Sequence, residues 1–395
     1  MYPSVQIDAK KVANIIHRHP WIFSGAIIKK EKAVTHGGLV RVTDPDGKFL
    51  GVGTYSDSSS IAVRVLDFTD VMIDHAWFVK RFQEAGERRR LLGYGPETQT
   101  TGYRLLFGEA DGVPGLIVDR YSDVLVFQIA TAGMDAMRAL VISAISECFA
   151  PLAIIERSDI STRKEENLED VIAIHVGKDP GLVEFMEQEC TFSADPLNGQ
   201  KTGFFLDQKE TRAAIRSLAK GRDVLNLFSY TGAAGVSAMM GGGKSVHHVD
   251  ASQAALDGCA VNAKLNNMGQ KSVTTERADI FQWFNEHKDG QYEMVIMDPP
   301  ALIKSNKDVE EGKKAYHFMN RAAMRLVKDG GIFVTSSCSH YFSEEDFAFM
   351  LRRASVQANV SLAILHITHQ SPDHPVSVYF PEGQYLKTFI CQVRV

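Results

Sequence analysis

From about residue 191 to the carboxyl end, apolar runs of four or five residues alternate with stretches of helical period. That alternation limits the fold severely. It calls for βαβ units and a parallel sheet with both faces covered. Strands are expected at 224–228, 246–250, 272–275, 294–298 and 332–335, with helical stretches at 254–265, 280–287 and 309–327 between them. In such a Rossmann-like α/β sheet the carboxyl ends of the strands share one edge, and ligands bind there.

The sequence is 395 residues long, which is more than one hydrophobic core usually serves, so two or three domains are expected. Residues 1–69 read as a small β domain: Leu39-Val40-Arg41-Val42 alternates, Asp44-Pro45-Asp46-Gly47 is turn chemistry, and apolar runs follow at 49–53 and 61–66. Helical character is expected near Ala9 to His17, ahead of those strands. A longer helical pattern begins at Asp70 and runs to about Leu92, with Phe78, Phe82 and Ala85 on one face. It opens a mixed α/β segment, 70–190, in which 113–119 and 124–129 read as a hairpin and no catalytic spacing stands out. The third domain is then 191–395. No internal repeat is evident.

No run of about 18 apolar residues occurs and the first residues lack an apolar core of signal-peptide type, so neither a membrane span nor a membrane partner is expected. Five scattered cysteines (148, 190, 259, 338, 391) contain no C-x-x-C pair, which argues against a zinc site and for a reduced, cytoplasmic setting; no metal is expected. A net charge of −5 excludes a coat protein for nucleic acid, so any such contact must use local patches. Candidates are Lys29-Lys30 with Lys32, Arg88-Arg89-Arg90, Arg163-Lys164, and Lys304, Lys307, Lys313 and Lys314. Runs like these are usually solvated surface.

The first strand of the alternating region runs into Ser229-Tyr230-Thr231-Gly232-Ala233-Ala234-Gly235, a tight turn of small residues entering a helix. Backbone there can come close to a nucleotide. Asp250, 18 residues beyond Gly232, ends the next strand, where an acid can accept hydrogen bonds from a ribose diol. Asp279, just past the third strand, is a further acid on the same edge. The turn is not G-x-G-x-x-G, so a diphosphate-bridged dinucleotide fits poorly and an adenosine-type ligand such as S-adenosylmethionine fits better. Gly241-Gly242-Gly243-Lys244-Ser245 mimics a phosphate-binding loop, but Ala238 stands where a glycine is required and the order is helix then strand. It reads as a helix C-terminal glycine turn.

The fourth strand leads into Met297-Asp298-Pro299-Pro300-Ala301, where two prolines remove two backbone donors and stiffen the loop. Asp298 starts that loop beside the cofactor edge and suits holding the amino group or protonated ring nitrogen of a cytosine. The fifth strand delivers Thr335-Ser336-Ser337-Cys338-Ser339 to the same edge. Carbon 5 of cytosine is a poor nucleophile until a thiolate adds at carbon 6, so a cysteine facing Asp298 has a specific use there. Cys259 and Cys391 sit in helical and strand patterns that packing explains.

These residues resemble the bacterial 23S ribosomal RNA 5-methylcytosine methyltransferases of the large-subunit I type, over the whole chain. His19-Pro20-Trp21-Ile22-Phe23-Ser24-Gly25 looks like the start of that family's PUA domain, an RNA-binding module. Lys201-Thr202-Gly203-Phe204-Phe205-Leu206-Asp207-Gln208 resembles its segment before the Rossmann-like core, which implies that Phe205 and Asp207 pack near the cofactor. Asn226 to Gly232, Asp298-Pro299-Pro300 and Ser337-Cys338-Ser339 resemble its cofactor, base-holding and nucleophile motifs. The resemblance implies a PUA domain, a mixed middle domain and a class I methyltransferase domain, S-adenosyl-L-methionine as cofactor, 23S ribosomal RNA of the large subunit as partner, and Cys338 as nucleophile. Related enzymes carry a second cysteine after the proline to release the product. Ala301 stands here, so another base must serve.

Two other functions stay open on the sequence. Methylation of a guanine amino group in ribosomal RNA uses the same D-P-P loop, though an aromatic residue usually follows the prolines there. A non-catalytic RNA-binding assembly factor would keep the fold without the chemistry. A homodimer is likewise left open.

Overall fold

The structure is a computed structural model that describes residues 2–269, 272–288, 292–303 and 305–395. These fall into two compact units, one made of the chain up to Phe185 with Ala194–Leu206 and Pro372–Gly383, the other of Met186–Ser193, Asp207–Ser371 and Gln384–Val395.

In the first unit, the β-branched alternation near the amino end folds as a six-stranded sheet in the order Trp21–Phe23, Ile61–Asp67, Phe49–Tyr55, Leu39–Thr43, Ser4–Ile7, Ile27–Lys30. Asp44 makes the turn that the sequence announces, its Oδ1 accepting the backbone N–H groups of Asp46 and Lys48 at 2.9 and 2.8 Å. The inward residues Val5, Ile7, Val40, Val42, Val63 and Val65 form its core. A five-stranded sheet follows, in the order Val171–Val176, Ala153–Ser158, Val124–Ile129, Leu116–Tyr121, Gly102–Phe107. The helix against it spans His75–Leu91 and buries Phe78, Phe82 and Ala85, the face expected. It starts later than Asp70 because Asp74 caps it, accepting the N–H of Trp77 at 3.0 Å.

The second unit holds a seven-stranded sheet built from β1 (Asp223–Leu227), β2 (Ser245–Asp250), β3 (Val273–Arg277), β4 (Tyr292–Met297), β5 (Val327–Ser337), β6 (Ser361–Thr368) and β7 (Lys387–Arg394). Their order is β3-β2-β1-β4-β5-β7-β6. Neighbours from β3 to β5 are parallel, and β7 runs antiparallel to both β5 and β6. The helices are α1 (Lys209–Leu218), α2 (Ala233–Met240), α3 (Gln253–Leu265), α4 (Ile280–Glu286), α5 (Val309–Arg325) and α6 (Glu344–Ala358). Near-continuous apolar runs in β1, β4 and β5 bury both faces, as a covered parallel sheet requires. The glycine triplet ends α2: Gly241 caps it and Gly242 takes φ +86°, a helix terminus and not a phosphate loop.

Candidate active site

β1 and β4 pair in parallel with Leu227 level with Met297, and β4 pairs with β5 with Met297 level with Thr335. The loops leaving these strands, which carry Ser229 to Gly232, Asp298 and Cys338, therefore emerge side by side at the carboxyl edge.

The first loop is held in a conformation its sequence does not favour. Phe228 and Tyr230, neither a glycine, have φ of +55° and +47°, and Gly232 has +78°. Residues persist in such regions when their surroundings over-determine them. Here the N–H of Tyr230 donates to Asp250 Oδ2 at 2.9 Å, the N–H of Ser229 to the Val249 carbonyl at 3.2 Å, and the N–H of Gly232 to the Ser229 carbonyl at 2.8 Å. Two side chains of α3 hold the loop's carbonyls: Cys259 Sγ donates to Tyr230 O at 3.1 Å and Asn262 Nδ2 to Thr231 O at 2.8 Å. Burial pushes the Cys259 thiol up to about 12, so it stays protonated and serves as a donor. Asn262 is fully buried, and its Oδ1 accepts both the N–H and the hydroxyl of Ser193 at 2.9 and 3.0 Å. Cys259 and Asn262 are positioning residues that the sequence did not reveal, because on a helix they read as packing. A side chain at position 232 would strike Cys259 Sγ and His248 Cε1 at 2.9 and 3.0 Å, which explains the glycine.

Asp250 is half-buried at the end of β2. Each of its oxygens accepts one backbone N–H, from Tyr230 and from Ser252, leaving lone pairs for a ribose diol. Thr231 Oγ1 and Gln208 Oε1 are buried without a hydrogen-bond partner among the described residues. Orphaned polar atoms of this kind call for a ligand or water to satisfy them. With a carboxylate at the next strand end, they fit an adenosine-type cofactor. Asp279 is exposed and caps α4, accepting the N–H of Gln282 at 3.1 Å.

Asp207 is buried in a short turn ahead of α1, where its Oδ2 accepts the hydroxyl of Tyr385 at 2.6 Å. Gln208, the next residue, donates from Nε2 to Asp298 Oδ2 at 3.0 Å and so links that segment to the D-P-P loop. Phe205 belongs to the first unit, half-buried with Lys201 Nζ 4.4 Å above its ring.

The D-P-P and cysteine loops are joined directly. Ser339 Oγ accepts the N–H of Ile303 at 3.3 Å. It also lies 3.3 Å from Tyr316 Oη, which accepts the Ser337 hydroxyl at 3.1 Å. Tyr316, buried on α5, is pushed up to about 12, chiefly by burial, and the charges of Cys338 and Asp298 both act on it. Cys338 itself is partly exposed, unlike the buried Cys190, Cys259 and Cys391. Across from Ser337 on β7 stands Lys387, only 6% exposed, whose Nζ donates to the Ser339 carbonyl at 2.6 Å. No local pattern in the sequence marks this lysine, since only the β5–β7 pairing brings it to the loop.

Several charges of the basic runs are held within the fold, while Lys29, Lys30 and Lys32 stay exposed. Arg89 is fully buried in a bidentate pair with Asp111, which Arg88 also contacts, and Arg163 is buried against Asp135 and backbone carbonyls. Lys313 and Lys314 pair with Asp346 and Glu311. Lys304 lies outside the described residues.

The sequence pattern of PUA-like domains matches residues 5–68, and that of S-adenosylmethionine-dependent methyltransferases matches residues 173–376. A protein of Erwinia tasmaniensis named ribosomal RNA large subunit methyltransferase I is 38% identical over 384 residues, 96% of each chain. A namesake from Yersinia pestis is 37% identical over the same share. Among solved structures, a Streptococcus mutans protein described as a SAM-dependent methyltransferase matches with a TM-score of 0.83 at 21% identity, covering 98% of this chain and 99% of its own. A second, described as a methyltransferase complexed with SAH, gives a TM-score of 0.84 at 21% identity over the same shares. At that identity the two share the fold. No helix among the described residues is long and apolar enough to cross a membrane. The chain belongs to the S-adenosylmethionine-dependent methyltransferases, in the group that carries a PUA-like domain ahead of the methyltransferase domain and whose curated members are named ribosomal RNA large subunit methyltransferase I.

Proposed function

We propose that this chain methylates carbon 5 of a cytosine in 23S ribosomal RNA, with Cys338 as a transient covalent nucleophile. The single observation that carries the reading is the junction of the two loops. The partly exposed Cys338 and Asp298 leave adjacent strands, the Ile303–Ser339 hydrogen bond ties their loops, and one buried tyrosine feels both. Relatives spanning 96% of the chain bear a ribosomal RNA large-subunit name, which supports the class of substrate and, with it, a place in the cytoplasm.

Bound S-adenosylmethionine supplies an electrophilic methyl group on a sulfonium. The residues that would hold it are Ser229, Tyr230, Thr231 and Gly232 in the first loop, Asp250, Asp279 and Asp298 at the strand ends, and Asp207 ahead of α1. Asp298 would also hold the base through its amino group or ring nitrogen. Cys338 Sγ then adds to carbon 6, and the electron pair released to carbon 5 takes the methyl. Loss of the carbon 5 proton re-forms the double bond and returns the pair to sulfur. The target must be single-stranded or extruded to reach the thiol. Residues 1–69 would serve as the RNA-binding domain, 70–190 would shape the substrate, and 191–395 would do the chemistry.

The test is methyl transfer to 23S RNA that lacks the modification, followed by mass mapping of the product. Cys338→Ala should abolish transfer, and RNA carrying 5-fluorocytosine should trap the wild-type chain covalently, because carbon 5 then has no proton to lose. Transfer surviving in Cys338→Ala, with the methyl on a guanine amino group, would assign the other chemistry. No binding of S-adenosylmethionine would point to an assembly factor.

A further inference from the structure

We infer that Lys387 is the positioning residue for the Cys338 thiolate, the cation that offsets the sulfur's charge when it attacks and again when it is released. The inference rests on the reading of Cys338 as nucleophile.

Lys387 opens β7 and leads into its buried stretch: Thr388, Phe389, Ile390 and Cys391 are each at most 1% exposed. Burying a lysine among such residues is costly unless its charge is used or matched. No carboxylate makes an ion pair with it among the described residues; its Nζ instead donates to the Ser339 carbonyl at 2.6 Å and the Tyr385 carbonyl at 3.2 Å. The antiparallel register sets Lys387 opposite Ser337, so the ammonium ends at the residue just past Cys338. Of the charges that favour its protonated form, Cys338 is the largest and Glu344 the next. Glu344, the first residue of α6, is itself held by His369 Nε2 at 2.7 Å. Tyr316 on α5 faces the same loop but is kept neutral by burial, and Asp298 stands at the end of β4.

A cation at the thiol lowers the energy of the thiolate, the attacking form. Burial pulls the Lys387 ammonium down to about 8, so most of it keeps its charge near neutral pH. When the thiol ionises, its S–H bond breaks, the proton leaves to solvent, and the electron pair stays on sulfur beside the cation to form the bond to carbon 6. When the carbon 6–sulfur bond breaks, its pair returns to a sulfur already facing the ammonium.

The experiment is the pH profile of Cys338 alkylation by iodoacetamide, read by peptide mass spectrometry in the intact chain without RNA. Lys387→Gln keeps a donor for the two carbonyls but loses the charge. Its alkylation midpoint should rise by about one unit, with a roughly tenfold lower rate at pH 7. Lys387→Arg keeps the cation and should hold the midpoint near that of the wild type. An unshifted midpoint in Lys387→Gln, or an equal rise in both variants, overturns the inference and leaves the nucleophile untouched. Conversely, methyl transfer surviving in Cys338→Ala would sink the covalent mechanism whatever the alkylation profile shows.

Discussion

Asp250 accepts the backbone N–H of Tyr230 with one carboxylate oxygen and that of Ser252 with the other, both at 2.9 Å. The acid that would bind the ribose is thus also a strut of the loop that would face it. Tyr230 needs that strut, since its φ of +47° is unfavourable for a side chain with a Cβ.

Replacing Asp250 by Ala therefore removes the charge-assisted bond that holds Tyr230, a second one to Ser252, and the proposed ribose acceptor together. The Kd for S-adenosylmethionine should rise roughly 10- to 100-fold, given the usual strength of bonds to a charged acceptor. Calorimetric titration measures it. Asp279→Ala should weaken binding less, because that exposed side chain already serves as the cap of α4. Equal losses would place Asp279 at the ligand with Asp250.

His248 gives the protein an acid limb. Buried on β2, it accepts a hydrogen bond from Asn226 Nδ2 on β1, at 3.1 Å from its Nδ1, and burial pulls it down to about 3. The unfolded chain titrates this imidazole near 6.5, so between pH 6.5 and 3 the unfolded state binds the extra proton. Stability should be complete above pH 6.5 and fall as pH drops through that window, by on the order of 5 kcal/mol. His248→Gln should be less stable at pH 7, yet lose less on acidification. Urea unfolding at several pH values checks both statements, and an unchanged acid slope in the variant would refute the assignment.

Much of this edge could be read directly from the residues. The five expected strands all exist, and for β1, β4 and β5 the cause is plain: strands covered on both faces are near-continuous apolar runs. What escaped depends on pairing between distant segments. β6 carries an apolar run at 362–365 but is exposed at most of its positions, and it is its antiparallel pairing with β7 at the sheet edge that makes it part of the sheet. Lys387 at the head of a strand looks like a solvent-facing charge until the β5–β7 register puts it against the cysteine loop. Gln208 meets Asp298 across 90 residues of chain, and Cys259 reaches Tyr230 across 29, separations that no local pattern encodes.

Tyr316 joins the two halves of the proposed chemistry, and its hydroxyl can be removed alone. In Tyr316→Phe the ring stays in the core while Ser337 loses its acceptor and Ser339 one neighbour. Leaving buried hydroxyls without a partner costs about 1–3 kcal/mol, so denaturant unfolding should show a loss of that size. The Ile303–Ser339 bond remains available, hence the loops should stay joined and S-adenosylmethionine should bind with nearly its normal Kd. Methyl transfer is the discriminating readout: with Cys338 less firmly placed, kcat should fall about tenfold or more, since misplacement of a reacting atom is paid in the barrier. A variant that loses stability but keeps the wild-type kcat would show that Tyr316 braces the fold without aligning the thiol.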